Sequence, residues 1–519
     1  MAWIVIGEEK GKIKLVSKKP AEGEIPGLLP KGSFLTVESS DTKSKFILRV
    51  DDSLQQEPYS PSPMIIDMDL SGLYEDTKCQ NIIYAYRIKD ITERTDGKID
   101  FITPQSIARR SNQEEIALAM GSFDFGPIVF PATVHAGQNQ LLVDDNLDFL
   151  KVKLPQEMFF YQMQICGKTG SGKTVAMKYL AQYFVEELEG AVLAINVKDV
   201  DFLMMDKPSN IINPQIEKEW EVLGGTAHGI DNYTIYYPAN TSLNSYRGIN
   251  NDLCEAVTLS VHEIEPEALL GLLQNISDIG AQNFPDIFRY WQENRMASDG
   301  SFVDFVNYFA NGAANPTFET LNLRGDLSSV TLHSGTFNNI LRNLNASMEF
   351  FDNSNAQVLQ FGDILSPGKL SVINVAGSKG IQFGSILLRH LLKQIVRAKS
   401  EQRSQVPILL IIDEVHQFYN SESSREALGE LDTICRTGRS QKIGVIFSSQ
   451  NQEDLPKGLS SVINTKLFFK SDGISRNLFN ISTEEIQTLK TGYAVANIHD
   501  LPQLKVLKFP LSFAGAIKS

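Results

Sequence analysis

The sequence predicts an α/β chain built on a mainly parallel sheet, preceded by a small antiparallel barrel. Three observations predict it. From about residue 155, continuous apolar runs of strand length alternate with helical patterns, as in parallel strands joined by crossover helices. Before about residue 110 the apolar runs are short, and clusters of Gly, Pro, Asp and Ser separate them, as in small barrels and sandwiches. A Gly-rich turn then joins a strand to a helix at Gly167–Thr174, an arrangement that aims backbone amides at an anion.

Composition bounds these readings. Of 519 residues, 42% are hydrophobic and 21% charged, which excludes wholesale disorder. The length suits two to four domains of roughly 150 residues each. No apolar run approaches the roughly 20 residues that cross a bilayer, and the start lacks the basic and apolar regions of a secretory signal. Cys79, Cys166, Cys254 and Cys435 lie far apart, so neither a disulfide framework nor a metal knuckle is expected, and a reducing, cytoplasmic setting without a membrane partner is. The seven histidines show no metal-ligand spacing.

The net charge of −14 argues against a nonspecific coating of nucleic acid. It is spread unevenly. Residues 1–150 carry 16 basic against 23 acidic side chains, and residues 241–350 carry 5 against 13 with no lysine. Residues 360–470 carry 14 against 10, so any polyanion contact belongs to that more basic part.

In chain order, residues 1–150 hold the barrel and a connector from about 111. Barrel strands are expected at Trp3–Ile6, Lys12–Val16, Ser33–Val37, Lys45–Val50 and Asn81–Ile88. Residues 151–244 open the α/β core with Phe159–Cys166, a helix whose apolar face holds Ala176, Met177, Leu180, Phe184 and Leu188, and the strand Ala191–Val197. Residues 245–350 read as an inserted helical subdomain, with helices at Asp252–Val261, Pro266–Asn283, Phe302–Phe309 and Phe337–Phe350. Phe302, Phe305, Tyr308 and Phe309 fall at helical spacing and are expected in the core. Residues 351–519 resume the core and end in a C-terminal tail, with strands at Leu370–Val375, Ile408–Ile412, Gly444–Phe447, Lys466–Phe469 and Tyr493–Ile498, and helices at Phe383–Ala398 and Arg425–Thr437.

Gly167-Lys168-Thr169-Gly170-Ser171-Gly172-Lys173-Thr174 matches G-x-x-x-x-G-K-[ST] between a strand and a helix. Its amides would cradle phosphates, Lys173 would meet the β- and γ-phosphates, and the Thr174 hydroxyl would ligate Mg²⁺. Ile408–Ile412 is an apolar strand tipped by Asp413 and Glu414. Asp413 is placed to serve the metal and Glu414 to polarise the attacking water. Arg436-Thr437-Gly438-Arg439 precedes the strand Ile443–Phe447 and then Ser448-Ser449-Gln450. Gln450 is the candidate γ-phosphate sensor. Arg439, with Arg436 second, is the candidate finger supplied from a neighbouring subunit, and surface salt-bridging is the alternative for either.

Taken together, these motifs and the layout resemble HerA-like ATPases of the FtsK–HerA branch of P-loop motors. The resemblance implies a RecA-like ATPase core behind a HAS-barrel-like N-terminal domain. It implies ATP and Mg²⁺ as ligands and a homo-hexameric ring that moves double-stranded DNA through its pore. It further implies a partner, either a NurA-like nuclease in end processing or a nuclease or sirtuin-like effector in phage defence. A protein-directed or secretion/conjugation ATPase fits the same motifs, as does a nucleotide-stabilised scaffold ring. One departure from the family stands out: where an acid is commonly found after the second core strand, this chain has Asn196. Asp199 or Asp201 would replace it, or Lys198 would use the loop for another contact. Lys379, between glycines at 377 and 380, is a pore-loop candidate. Arg389, Lys393 and Arg397 share a helix face that is DNA-facing, solvated or subunit-facing.

Overall fold

The computed structural model describes residues 3–17, 29–56, 80–92, 100–121, 123–133, 139–143, 148–198, 201–211, 213–241, 248–273, 278–419, 428–456, 458–472, 481–502 and 504–517. Two compact units emerge: Met1–Gln156 with Ser475–Phe509, and Glu157–Ile474 with Pro510–Ser519.

Six strands close the barrel of the first unit: β1 (Trp3–Glu9), β2 (Lys12–Ser17), β3 (Phe34–Glu38), β4 (Lys45–Gln56), β5 (Gln80–Asp90) and β6 (Ile107–Arg110). Their order is β1-β2-β5-β4-β3-β6, with β6 returning to β1. All pairs are antiparallel. Alternate residues, among them Trp3, Val5, Leu15, Leu35, Phe46 and Ile83, fill the interior. Beyond the barrel, the short strand β7 (Ile128–Pro131) is followed by a two-residue pair, β8 (Leu142–Val143) with β9 (Asp148–Phe149), and by β10 (Val152–Lys153). The expected core strand at 493–498 belongs to this unit. As β22 (Tyr493–Asn497) it pairs antiparallel with β23 (Val506–Lys508), β23 with β7, and β7 with β10. Within the stretch 351–519, expected as the second core part and a C-terminal tail, the Ser475–Phe509 segment belongs instead to the barrel unit.

The second unit is the α/β core. Its parallel sheet runs β21 (Thr465–Phe468), β11 (Met163–Cys166), β20 (Ile443–Ser449), β19 (Ile408–Ile412), β12 (Ala191–Asn196), β18 (Leu370–Asn374), β13 (Tyr233–Pro238), β14 (Cys254–Thr258), β17 (Gln357–Val358). Every pair of neighbours is parallel. Every residue of β12, β18, β19 and β20 is buried, as expected for strands covered on both faces. The strand tipped by Asp413 and Glu414 is not adjacent to the phosphate-loop strand, since β20 lies between them. Gln450 therefore follows the strand flanked by both motifs.

The inserted region differs from its expectation at its start. Residues 252–261 are not a helix: a single 3₁₀ turn at Asn251–Leu253 leads into β14, which extends the parallel sheet. Val257 and Thr258 are β-branched, and the open flank of β13 supplies hydrogen bonds that override a weak helical period. The expected Pro266–Asn283 helix is a 3₁₀ turn at Pro266–Leu272 and a separate helix at Asp278–Asn294. Helices follow at Phe302–Ala310 and Ser334–Ser347, and the antiparallel hairpin β15 (Thr317–Leu321) with β16 (Leu327–Thr331) lies between them. Phe302, Phe305 and Phe309 are buried and Tyr308 partly so. Phe305 meets Phe288 edge-on at 4.7 Å, and Phe309 stacks on Phe318 at 4.7 Å. These rings join the core cluster that covers the sheet, so the insertion is not a separate compact unit.

Candidate active site

The loop after β11 is built to bring backbone close to a ligand. Gly167 sits at φ 156°, and a Cβ there would stand 2.8 Å from Phe469 Cβ and 2.9 Å from Ser171 Oγ. Only glycine fits. The Gly167 N–H donates to Ser449 O at 3.2 Å and the Lys168 N–H to Lys470 O at 2.9 Å, tying the loop to the ends of β20 and β21. Lys168 also pairs with Asp472 at 2.9 Å on the surface. The helix Lys173–Glu186 begins directly after Gly172, with no side-chain cap on its first turn. Its leading N–H groups are thus left for an anion. The Ser171 hydroxyl is buried without a hydrogen-bond partner among the described residues. These groups fit a polyphosphate.

Lys173 is 4% exposed. Its ammonium donates to the Gly167 carbonyl and, at 3.5 Å, to the Lys168 carbonyl. Burial lowers its pKa, and Glu414 and Asp413 partly oppose this. Thr174 Oγ1 donates to Asp201 Oδ2 at 3.4 Å.

Asp413 and Glu414 are 2% and 1% exposed. Glu414 adopts the left-handed conformation, φ 47°, rare for a residue with a side chain and costing on the order of 1 kcal/mol. The turn sends its carboxylate back over the strand tips, where Gln450 Nε2 donates to Oε1 at 3.3 Å. Oε2 is buried and accepts no hydrogen bond from the described residues, with His416 Nδ1 3.7 Å away. Asp201, which meets Thr174, also shares the Lys198 ammonium with Asp413, and all three residues carry oxygen donors of the kind that Mg²⁺ takes.

The loop after β12 resolves the departure seen in the sequence. Asn196 is a packing residue: its Nδ2 donates to Lys198 O and to Asn374 Oδ1, and its Oδ1 accepts from the Phe202 N–H. Asp199 lies outside the described residues. Lys198 reaches Asp413 Oδ2 at 3.1 Å and Glu414 Oε1 at 2.9 Å, with Asp201 at 3.9 Å. Burial lowers the Lys198 pKa, but Asp413 and Glu414 outweigh it and leave the lysine above its ordinary value.

Other expected residues lie elsewhere. Arg436 is exposed and pairs with Asp432 at 2.9 Å. Arg439 is exposed and lies over the Tyr161 ring, 4.4 Å from its centroid. Both precede the start of β20, so within one chain they sit at the far end of the strand from Gln450. Lys379 is not on a loop: it occupies the first turn of the helix Ser378–Ser400 and pairs with Glu349 at 2.6 Å. On that helix Arg389 is sheltered over the Tyr419 ring, Lys393 pairs with Glu265 and Glu267, and Arg397 pairs with Glu401. Sequence reasoning missed Asn374, the partner of Asn196. Its only signal is a polar residue ending a buried apolar strand, the same signal that marked Asn196.

No family model matches the chain. A stretch of 195 residues is 26% identical to the DNA double-strand break repair helicase HerA of Sulfurisphaera tokodaii. Over that stretch the chain is similar to a HerA-type ATPase. The match spans 33% of this chain and 39% of that relative's length. Among solved structures, the bacterial conjugative coupling protein TrwB in its unbound monoclinic form is similar at 13% identity and a TM-score of 0.48, covering 79% of this chain and 94% of that one. VirB4 of Thermoanaerobacter pseudethanolicus is similar at 11% identity and a TM-score of 0.44, covering 76% and 98%. Lys173, Thr174, Asp413, Glu414 and Gln450 all follow the carboxyl ends of β11, β19 and β20, where ligands of parallel sheets bind.

Proposed function

We propose that the chain is the protomer of a ring-forming, Mg²⁺-dependent ATPase that moves double-stranded DNA, acting in the cytoplasm beside a nuclease or a defence effector. The observation that carries this reading is the meeting of an uncapped phosphate loop with Glu414, whose Oε1 is held by Gln450 while Oε2 is left open.

The residues divide the work of hydrolysis. The loop amides and Lys173 bind the β- and γ-phosphates, Lys173 giving up its contact with the Gly167 carbonyl to do so. Thr174 and Asp413 would hold Mg²⁺, which would supply charge neutralisation on the phosphate oxygens. Glu414 orients a water in line with the γ-phosphorus and takes its proton on Oε2 as the water oxygen bonds to phosphorus and ADP leaves. Gln450 couples the γ-phosphate to the position of Glu414, so cleavage can be felt along β20.

Steady-state phosphate release, with and without duplex DNA and across a salt series, tests the reading. Hydrolysis that rises with DNA and loses that rise as salt increases is expected, and Lys173→Ala should abolish it while leaving the thermal unfolding midpoint near wild type. Hydrolysis indifferent to DNA points instead to a protein-directed motor. Nucleotide binding without turnover points to a scaffold ring.

A further inference from the structure

Two consecutive carboxylates, both nearly sealed from solvent, end β19. Such a pair is costly to bury unless a cation compensates it. Lys173 is turned toward its own loop, and the nearest compensation for the acids comes from the neighbouring strand. Lys198 is the second residue after β12, and its ammonium bridges Asp413 Oδ2 and Glu414 Oε1 at 3.1 and 2.9 Å. Asn196 and Asn374 lock the base of this loop by hydrogen bonds. Lysine is well matched to such a position, being a compact charge with three donors on a flexible stem. Its side chain is one-third exposed, which leaves a path by which to withdraw.

We propose that Lys198 is the resident counter-cation of this site, holding Asp413 and Glu414 while no metal–nucleotide complex is bound and yielding its place when one arrives. The proposal rests on the nucleotide-site reading above. A Mg²⁺ ion held by Thr174 and Asp413 would bring two positive charges against the ammonium that Asp413 already meets, and the two cations would repel. Lys198 therefore makes the site less hostile to a bare triphosphate, and it competes with the metal. Both effects reduce the advantage that Mg²⁺ gives to nucleotide binding.

The test is equilibrium binding of a fluorescent N-methylanthraniloyl ATP to the full-length chain, once in excess Mg²⁺ and once in EDTA. For wild type, Lys198→Met and Lys198→Arg the readout is the ratio of the two affinities. Loss of Lys198 should raise that ratio about tenfold or more, equivalent to about 1.4 kcal/mol, mainly through weaker binding in EDTA, and Lys198→Arg should stay near wild type. Equal ratios in wild type and Lys198→Met would overturn the proposal while leaving the nucleotide site standing. A wild-type protein that binds the analogue in neither condition would instead defeat the site reading itself. If Lys198→Met does not fold, combining it with Asp413→Asn and Glu414→Gln should restore folding, because the uncompensated charges are gone. Failure of that rescue would mean that Lys198 serves packing and not charge.

Discussion

His390 lies on the inner face of the helix Ser378–Ser400 and is 2% exposed. The Glu265 N–H donates to its Nδ1 at 3.4 Å, and its Nε2 stands 2.8 Å from the Gln394 side-chain amide. Burial pushes the imidazole from 6.5 down to about 4, further than Glu265 and Glu263 can hold it up, with Lys393 adding to the fall. Below pH 6.5 the unfolded chain takes up a proton that the folded chain refuses. Stability is therefore full above 6.5 and drains as pH drops toward 4, by on the order of 3 kcal/mol in total. Denaturant unfolding from pH 7 to 4 should show a shallower acid loss for His390→Gln than for wild type. Parallel curves would mean that the ring titrates freely in the folded protein. The neighbouring ion pairs of Lys393 explain why the sequence leaves this helix face open between DNA, solvent and a subunit: Arg389, Lys393 and Arg397 recur four apart, but the acids that meet Lys393 come from the turn at 265–267, remote in sequence. A basic stripe reads the same on paper whether its partners are phosphates or a distant glutamate pair.

Gly444 shows what an element can demand of a single position. It lies in β20, and a Cβ added there would come within 2.1 Å of the Phe159 carbonyl oxygen and 3.2 Å of Leu409 Cδ1. The close neighbour is backbone, so Gly444→Ala must push the 3₁₀ segment Gln156–Tyr161 off the sheet. A loss of about 1–3 kcal/mol is expected, read as a lower urea midpoint, and an unchanged midpoint would show that this segment yields freely. A glycine inside an apolar strand signals close backbone approach, but it does not say which segment approaches. The same division runs through the whole core. Strands with uninterrupted β-branched or aliphatic runs, such as Ile408–Ile412 and Ala191–Asn196, were legible because burial on both faces writes itself into composition. The phosphate loop and the acid pair were legible because their chemistry tolerates few alternatives. β6 and β14 were not, because Ile107–Arg110 and Cys254–Thr258 are strands only through the neighbours they pair with. Lys198 was visible as a candidate, but its target depended on the strand order that sets β12 beside β19.

At the scale of the whole molecule, the distance between Arg439 and its own phosphate loop carries the strongest consequence. β20 runs seven residues from Ile443 to Ser449, roughly 20 Å at about 3.3 Å per residue. Arg439 lies before its beginning and the nucleotide site beyond its end. An arginine at that separation cannot complete the site of its own chain, and stacking on Tyr161 keeps its guanidinium extended on the surface. If it stabilises the transition state, it does so for a neighbouring copy. Arg439→Ala should accordingly bind nucleotide as wild type does and hydrolyse it roughly a thousandfold more slowly. Glu414→Gln should also bind without turnover, for a different reason: it keeps its arginine but cannot accept the proton. Mixing the two inactive proteins creates one kind of interface in which an intact Glu414 site faces an intact Arg439. Phosphate release from the mixture should rise with the fraction of such interfaces, peaking near equal proportions. A mixture as inactive as its components, under conditions where the subunits exchange, would remove Arg439 from the reaction. It would then leave Arg439 and Tyr161 as a surface contact and move the search for the missing positive charge to Arg436, one helical turn beyond Asp432.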